Sequence, residues 1–294
     1  MSDLLSTAGK NKGKLVIVFG LTTAYMIAEA IGALLTNSLA LLADAGHMLT
    51  DAGSLGLALL AIWFAGRPAT KEKTYGYYRV EILAALTNAV VLIFISIYIL
   101  YEAWRRFQNP PEVLSWPMFI IAIIGLVVNI IGVWLLAKAS GESLNIKGAY
   151  LEVLSDTLGS LGVIAASVIM LTTGWYLADP IISAGIGLFI LPRTWTLLRR
   201  ATHVLLEGTP SHIDLKSMEN AMKQVKGVKA VHDLHVWTIT SGIDSMSAHV
   251  SIEDTSQVDR ILAELQRMLK DKFGIEHTTI QLANECCEEK EMSI

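Results

Sequence analysis

Six runs of apolar residues constrain this chain more than any other feature: Leu15–Leu35, Leu39–Ala65, Val80–Trp104, Trp116–Ala137, Ala149–Thr172 and Pro180–Leu198. A helix needs roughly 20 apolar residues to cross the hydrocarbon core of a bilayer. Only helices and closed barrels satisfy their own backbone there. Runs of this length and continuity predict an α-helical membrane protein with six transmembrane helices. Just 17% of the 294 residues are charged, against about 25% in ordinary soluble domains. Polar breaks such as Thr36-Asn37-Ser38 and Ser140-Gly141-Glu142-Ser143 separate the runs. Trp63, Trp104, Trp116 and Trp175 lie near their ends, where indole rings favour the headgroup level. The first run is too long for a cleaved signal peptide and reads as a span.

Basic residues give the orientation, because cytoplasmic loops collect Lys and Arg. Lys10, Lys12 and Lys14 precede the first span, and Arg67, Lys71, Lys73 and Arg79 join the second to the third. Lys138 and Lys147 join the fourth to the fifth, and Arg199 and Arg200 end the sixth. The opposite side offers Arg105 and Arg106. Both termini are therefore expected in the cytoplasm.

From Ser211 the pattern changes. Ile213, Leu215, Met218, Met222 and Val225 have helical spacing. Val228–Thr240 and Ile243–Ile252 are rich in β-branched residues and flank a Ser241-Gly242 hairpin signal. Val258–Phe273 is again an amphipathic helix, and Glu276–Leu282 a last strand. The order αββαβ predicts a C-terminal α+β domain of the ferredoxin-like kind. The expected division is residues 1–208 for the membrane part and 209–294 for the cytoplasmic part, the first slightly basic and the second acidic. A net charge of −4 without a dense basic run argues against nucleic acid as a partner. Cys286 and Cys287 are adjacent, a poor arrangement for bridging each other.

Ionisable groups at membrane depth cost at least about 2.5–3.5 kcal/mol each, so something must offset them. His47 and Asp51 in the second span, and Glu152 and Asp156 in the fifth, are each four residues apart and so share a helical face. Two helices that each present two donors can close a four-ligand cage around a divalent metal. The competing account is that these groups hydrogen-bond helices together or sit near a span end, which is an open choice for Asp44. Glu29, Asn88 and Asn129 occur singly in their spans, where interhelical hydrogen bonding is the simpler account.

The stretch from Asn37 through Ala43-Asp44-Ala45-Gly46-His47 to Asp51 resembles the second span of cation diffusion facilitators, most of all the zinc/cobalt/cadmium resistance branch. Tyr75-Gly76-Tyr77-Tyr78-Arg79, Ser155-Asp156-Thr157-Leu158-Gly159-Ser160 and His232-Asp233-Leu234-His235-Val236-Trp237 are similar to that branch's third span entry, fifth span and cytoplasmic domain. The likeness covers essentially the whole chain. It implies a bacterial-type plasma-membrane homodimer that exports zinc, or cobalt, cadmium, manganese or iron, in exchange for protons. The metal is cargo, no cofactor is implied, and the chain is expected not to be an enzyme. The resemblance makes His47, Asp51, Glu152 and Asp156 the transport ligands, with a departure: zinc-type relatives carry His where this chain has Glu152. Three carboxylates and one imidazole make a harder site, shifted toward manganese, iron(II) or cobalt. The resemblance also offers His232, His249, Cys286 and Cys287 as ligands of a regulatory cytoplasmic site. Period-2 alternation puts His232 and His235 on opposite strand faces, so His235 reads as structural. The connection Arg67–Arg79 contains no histidine.

Two readings from other classes compete. An intramembrane metalloenzyme needs an open coordination position and a general base, as in H-E-x-x-H, and no such motif occurs. A membrane-anchored metal sensor would have little use for paired ligands in two spans.

Overall fold

The computed structural model describes the backbone of residues 2–65, 69–137 and 144–284. Side chains are described there except at 2–15, 50–51, 54–55, 57–65, 144–149 and 151–152. Two compact units emerge, one of residues 1–60 and 84–198, the other of residues 61–83 and 199–294.

Six long helices run in chain order: α1 (Ser2–Thr36), α2 (Leu39–Ala65), α3 (Arg79–Gln108), α4 (Ser115–Ala137), α5 (Leu144–Thr173) and α6 (Ala178–Leu205). Among the described residues, α1, α3, α4, α5 and α6 each contain a stretch long and apolar enough to cross a membrane, and α2 contributes Leu39–Leu49 within its 27 residues. Helix α1 begins at Ser2, so Lys10, Lys12 and Lys14 are part of the helix and not of a separate arm. Large apolar side chains such as Leu34, Phe94, Trp134 and Phe189 point outward. Such a surface is stable against lipid and not against water.

Inside the first unit, small residues let helices approach closely. A methyl group at Gly125 of α4 would collide with the Tyr25 hydroxyl of α1, and one at Gly159 of α5 would collide with Asp44 Oδ1 of α2. Glycine at these two positions admits a polar side chain that any larger residue would displace. The start of α2 is held by α6. Asp179, fully buried, accepts hydrogen bonds from Ser38 Oγ at 2.7 Å, Leu39 N at 2.9 Å and Ala40 N at 3.1 Å. These are among the amides that lack a partner at a helix start. Arg106 of α3 closes the network, donating to the Asn37 carbonyl at 2.6 Å and lying 3.5 Å from Asp179.

In the second unit, α7 (Leu215–Lys223), β1 (Val228–Thr240), β2 (Ile243–Ile252), α8 (Val258–Phe273) and β3 (His277–Ala283) follow the order αββαβ. The sheet order is β1-β2-β3, with β1 antiparallel and β3 parallel to β2. The parallel pairing requires the crossover that α8 supplies. Met218 and Met222 of α7, Ile261, Leu265 and Leu269 of α8, and Met246, Val250 and Ile252 of β2 form one core. Gly242, at φ 77°, closes the β1–β2 hairpin in a conformation that L side chains rarely adopt. The hairpin tip grips the start of α3: Thr240 Oγ1 and Ser241 Oγ donate to the two oxygens of Glu81, at 2.5 and 2.9 Å.

Candidate metal-transport site

Helix α2 carries His47 and α5 carries Asp156, and the bundle brings them together. His47 Nε2 lies 3.6 Å from Asp156 Oδ1, with the residues 4% and 2% exposed. Two donors bound tetrahedrally to one ion, each about 2.0–2.1 Å from it, stand roughly 3.4 Å apart. The observed separation is close to that value. Asp51 follows His47 by one turn of α2, and Glu152 precedes Asp156 by one turn of α5. Their side chains lie outside the described residues. No group of three or more His, Cys, Asp or Glu side chains capable of holding a metal forms among the described residues.

The walls of this region are apolar with a few aimed polar groups. Phe189 of α6 meets the His47 ring edge-on, centroids 6.4 Å apart. Arg193, one turn further along α6, acts on His47 electrostatically. Arg193 and Asp179 are functional candidates missing from the sequence-based set, though each is an ionisable residue in or beside an apolar run, the same signal that marks Asp51 and Asp156. The lone polar residues divide. Asn129 Nδ2 donates to Ser160 Oγ at 3.2 Å, tying α4 to α5 as the hydrogen-bonding account expects. Asn88 of α3 packs against Gly53 of α2. Glu29 is different. Its Oε1 accepts from Tyr25, a residue of its own helix, at 3.0 Å.

On the sheet, one expectation is corrected. His232 pairs with His249 and His235 with Ser247, because a bulge between His232 and His235 inserts one residue into β1. Asp233 occupies it at φ 49°. Residues 247 and 249 share a face of β2, so His232 and His235 lie on the same face of the sheet, not on opposite ones. His249 and His277 belong to that face as well, through the pairings His249↔Gln281 and Ser245↔His277. His235 Nε2 donates to Asp233 Oδ1 at 2.7 Å, and the ring lines a cleft of about 560 Å³ with Trp237, Arg79 and Glu207. Cys286 and Cys287 lie outside the described residues.

Comparison with known proteins matches residues 15–206 to the cation efflux transmembrane domain and residues 210–285 to the cation efflux protein cytoplasmic domain. The chain is 49% identical to the metal cation efflux system protein CzcD of Cupriavidus metallidurans, over 96% of this chain and 89% of the relative. It is 47% identical to the cadmium, cobalt and zinc/H(+)-K(+) antiporter of Bacillus velezensis, over 93% of this chain and 89% of that one. It is 42% identical to the zinc transporter ZitB of Escherichia coli, over 94% and 89%. These relatives are transporters and not enzymes, which removes the metalloenzyme reading. Both halves of the chain match, in order and over nearly their full length, so this protein belongs to the cation efflux family of membrane transporters.

Proposed function

We propose that this protein exports zinc, with cobalt and cadmium as further substrates, from the cytoplasm in exchange for a monovalent cation, chiefly the proton. The observation that carries the reading is the 3.6 Å approach of His47 to Asp156 across two membrane helices, at the spacing two ligands of one ion adopt. The relatives' names agree with it in substrate and direction. His47, Asp51, Glu152 and Asp156 are the proposed ligands. They hold metal only when deprotonated, so metal and protons compete for one set of atoms. Protonation from the far side releases the ion, and the protonated site returns by alternating access.

In this reading both termini are cytoplasmic, residues 1–208 transport, and residues 209–294 dimerise and regulate. His232, His249, Cys286 and Cys287 are the proposed donors of a regulatory metal site, and the shared face of His232 and His249 favours it. The test is metal uptake into inverted vesicles containing the purified protein, with zinc, cobalt, manganese and iron(II) compared with and without a pH gradient. Gradient-driven zinc uptake abolished by Asp51→Ala is the expected result. No uptake of any of these ions under a gradient overturns the proposal.

A further inference from the structure

A cleft of about 560 Å³ is formed within the second unit alone, by Tyr75 and Tyr78 before α3, Arg79 at its start, Glu207 just beyond α6, and His235 and Trp237 of β1. Its place in the chain puts it at a membrane surface. Arg79 is the first residue of a helix long and apolar enough to cross a bilayer, and Glu207 lies two residues past the end of another, at Leu205. Tyrosine and tryptophan favour this level. Leu206, beside Glu207, is 77% exposed and Tyr75 60% exposed, a surface that suits acyl chains better than water. The cleft carries one cation and one anion. Arg79 Nη2 lies 2.9 Å from Glu207 Oε1, with the side chains 39% and 62% exposed. An ion pair this exposed holds little energy of its own, so it opens readily when each member is offered another partner of opposite charge.

We propose that this cleft binds the headgroup of a phosphatidylethanolamine-type lipid, with Arg79 holding the phosphate and Glu207 the primary ammonium. A guanidinium grips phosphate through two parallel N–H donors. The ring faces of Tyr75, Tyr78 and Trp237 attract a cation. With His235 Nε2 donating to Asp233 at 2.7 Å, the other nitrogen of the neutral imidazole is an acceptor, which again suits an ammonium. A net anion gains less here, because Glu207 repels it while Arg79 attracts it. A quaternary ammonium has no N–H to donate to the carboxylate. The volume falls within the roughly 300–1,000 Å³ of small-molecule sites. Soluble glycerophosphoethanolamine carries the same two charges, but the exposed Leu206 and the position at the span ends select the lipid. Binding exchanges one exposed ion pair for two and ties the start of α3, the end of α6 and β1 to a single lipid molecule. The inference does not depend on which metal is carried.

The test is native mass spectrometry of the full-length protein in detergent, titrated with phosphatidylethanolamine, phosphatidylcholine and phosphatidylglycerol of identical acyl chains. Wild type should bind one phosphatidylethanolamine per chain about tenfold more tightly than either other lipid, the difference that one charge-assisted bond makes. Glu207→Gln should abolish that preference without weakening phosphatidylglycerol, whereas Arg79→Gln should weaken both. Glycerophosphoethanolamine should compete only at concentrations far above the lipid's. A wild-type protein that does not favour phosphatidylethanolamine overturns the proposal, whatever the variants do. A preference that survives Glu207→Gln also overturns it. Competition by glycerophosphoethanolamine at the lipid's own concentration would make the ligand a soluble molecule and overturn the lipid assignment.

Discussion

Replacing Asp179 with alanine tests whether α2, the helix that presents His47, is fixed at its start by a single buried carboxylate. Three donors lose their acceptor: Ser38 Oγ, Leu39 N and Ala40 N, at 2.7, 2.9 and 3.1 Å. Each bond to a charged acceptor is worth about 1.5–3 kcal/mol, but three that share one carboxylate do not add in full. Ser38 can still cap the helix through its 3.2 Å bond from Leu41 N. Arg106 keeps the Asn37 carbonyl and Glu102. The expected loss is therefore about 3–5 kcal/mol, the range for removing one partner of a buried ion pair. Asp179→Asn retains an acceptor without the charge and should cost about half. For a chain of this size 1 kcal/mol moves the unfolding midpoint by roughly 2–4 °C. Thermal unfolding in detergent, followed by tryptophan fluorescence, should thus show a drop on the order of 6–20 °C for alanine and clearly less for asparagine. Equal shifts for the two variants, or a shift within about 2 °C of wild type for alanine, would refute the reasoning.

Other perturbations separate the parts of the site. Gly159→Ala gains about 1 kcal/mol of helix propensity but forces a methyl onto Asp44, an overpacking cost of about 1–3 kcal/mol. It should lower the unfolding midpoint relative to Gly20→Ala, where the same methyl meets open space; equal midpoints would show that Asp44 yields freely. His47→Ala removes one of four proposed donors. If zinc binding is worth about 10–16 kcal/mol over four ligands, the dissociation constant should rise roughly 10²–10³-fold in a competition titration, and a rise under tenfold would exclude His47 as a ligand. Glu152→His softens the donor set, so the ratio of zinc to manganese uptake in vesicles should rise by about tenfold or more; an unchanged ratio would remove position 152 from selectivity. Glu81→Gln weakens the acceptor of Thr240 and Ser241 by about 0.5–1 kcal/mol, and hydrogen exchange at residues 240–243 should quicken by a few fold, whereas unaltered exchange would mean that the grip on the hairpin tip is dispensable.

Nearly all of the architecture was legible because it depends on periodicity. Apolar runs mark the spans, and alternation with Ser241-Gly242 marks the hairpin, since burial acts on every residue of an element at once. What stayed hidden depends on single residues meeting across elements. Asp179 meets Ser38, Leu39 and Ala40 from another helix, and no spacing along the chain encodes that adjacency. The faces of His232 and His235 were misread because one residue, Asp233, enters a left-handed conformation and resets the alternation of β1. An aspartate tolerates that conformation better than most residues, but its presence alone does not announce a bulge. Asp179 was legible in type and missed because it sits just outside the longest uninterrupted part of the sixth run.

The charge balance of the bundle explains why metal and proton should be linked at all. Asp51, Glu152 and Asp156 supply three carboxylates to the proposed cage, and Asp44, one turn before His47 on α2, and Glu29 of α1 are further buried acids of the bundle. Among the described residues Arg193 acts on His47 from α6, and one guanidinium does not balance five ionised acids at low dielectric. The cluster must therefore hold further positive charge in every state of the cycle, either as a divalent ion or as protons. Entry of one form relieves the demand for the other, and no moving part is needed to enforce the exchange. On this argument coupling is a property of the acid count rather than of any one ligand.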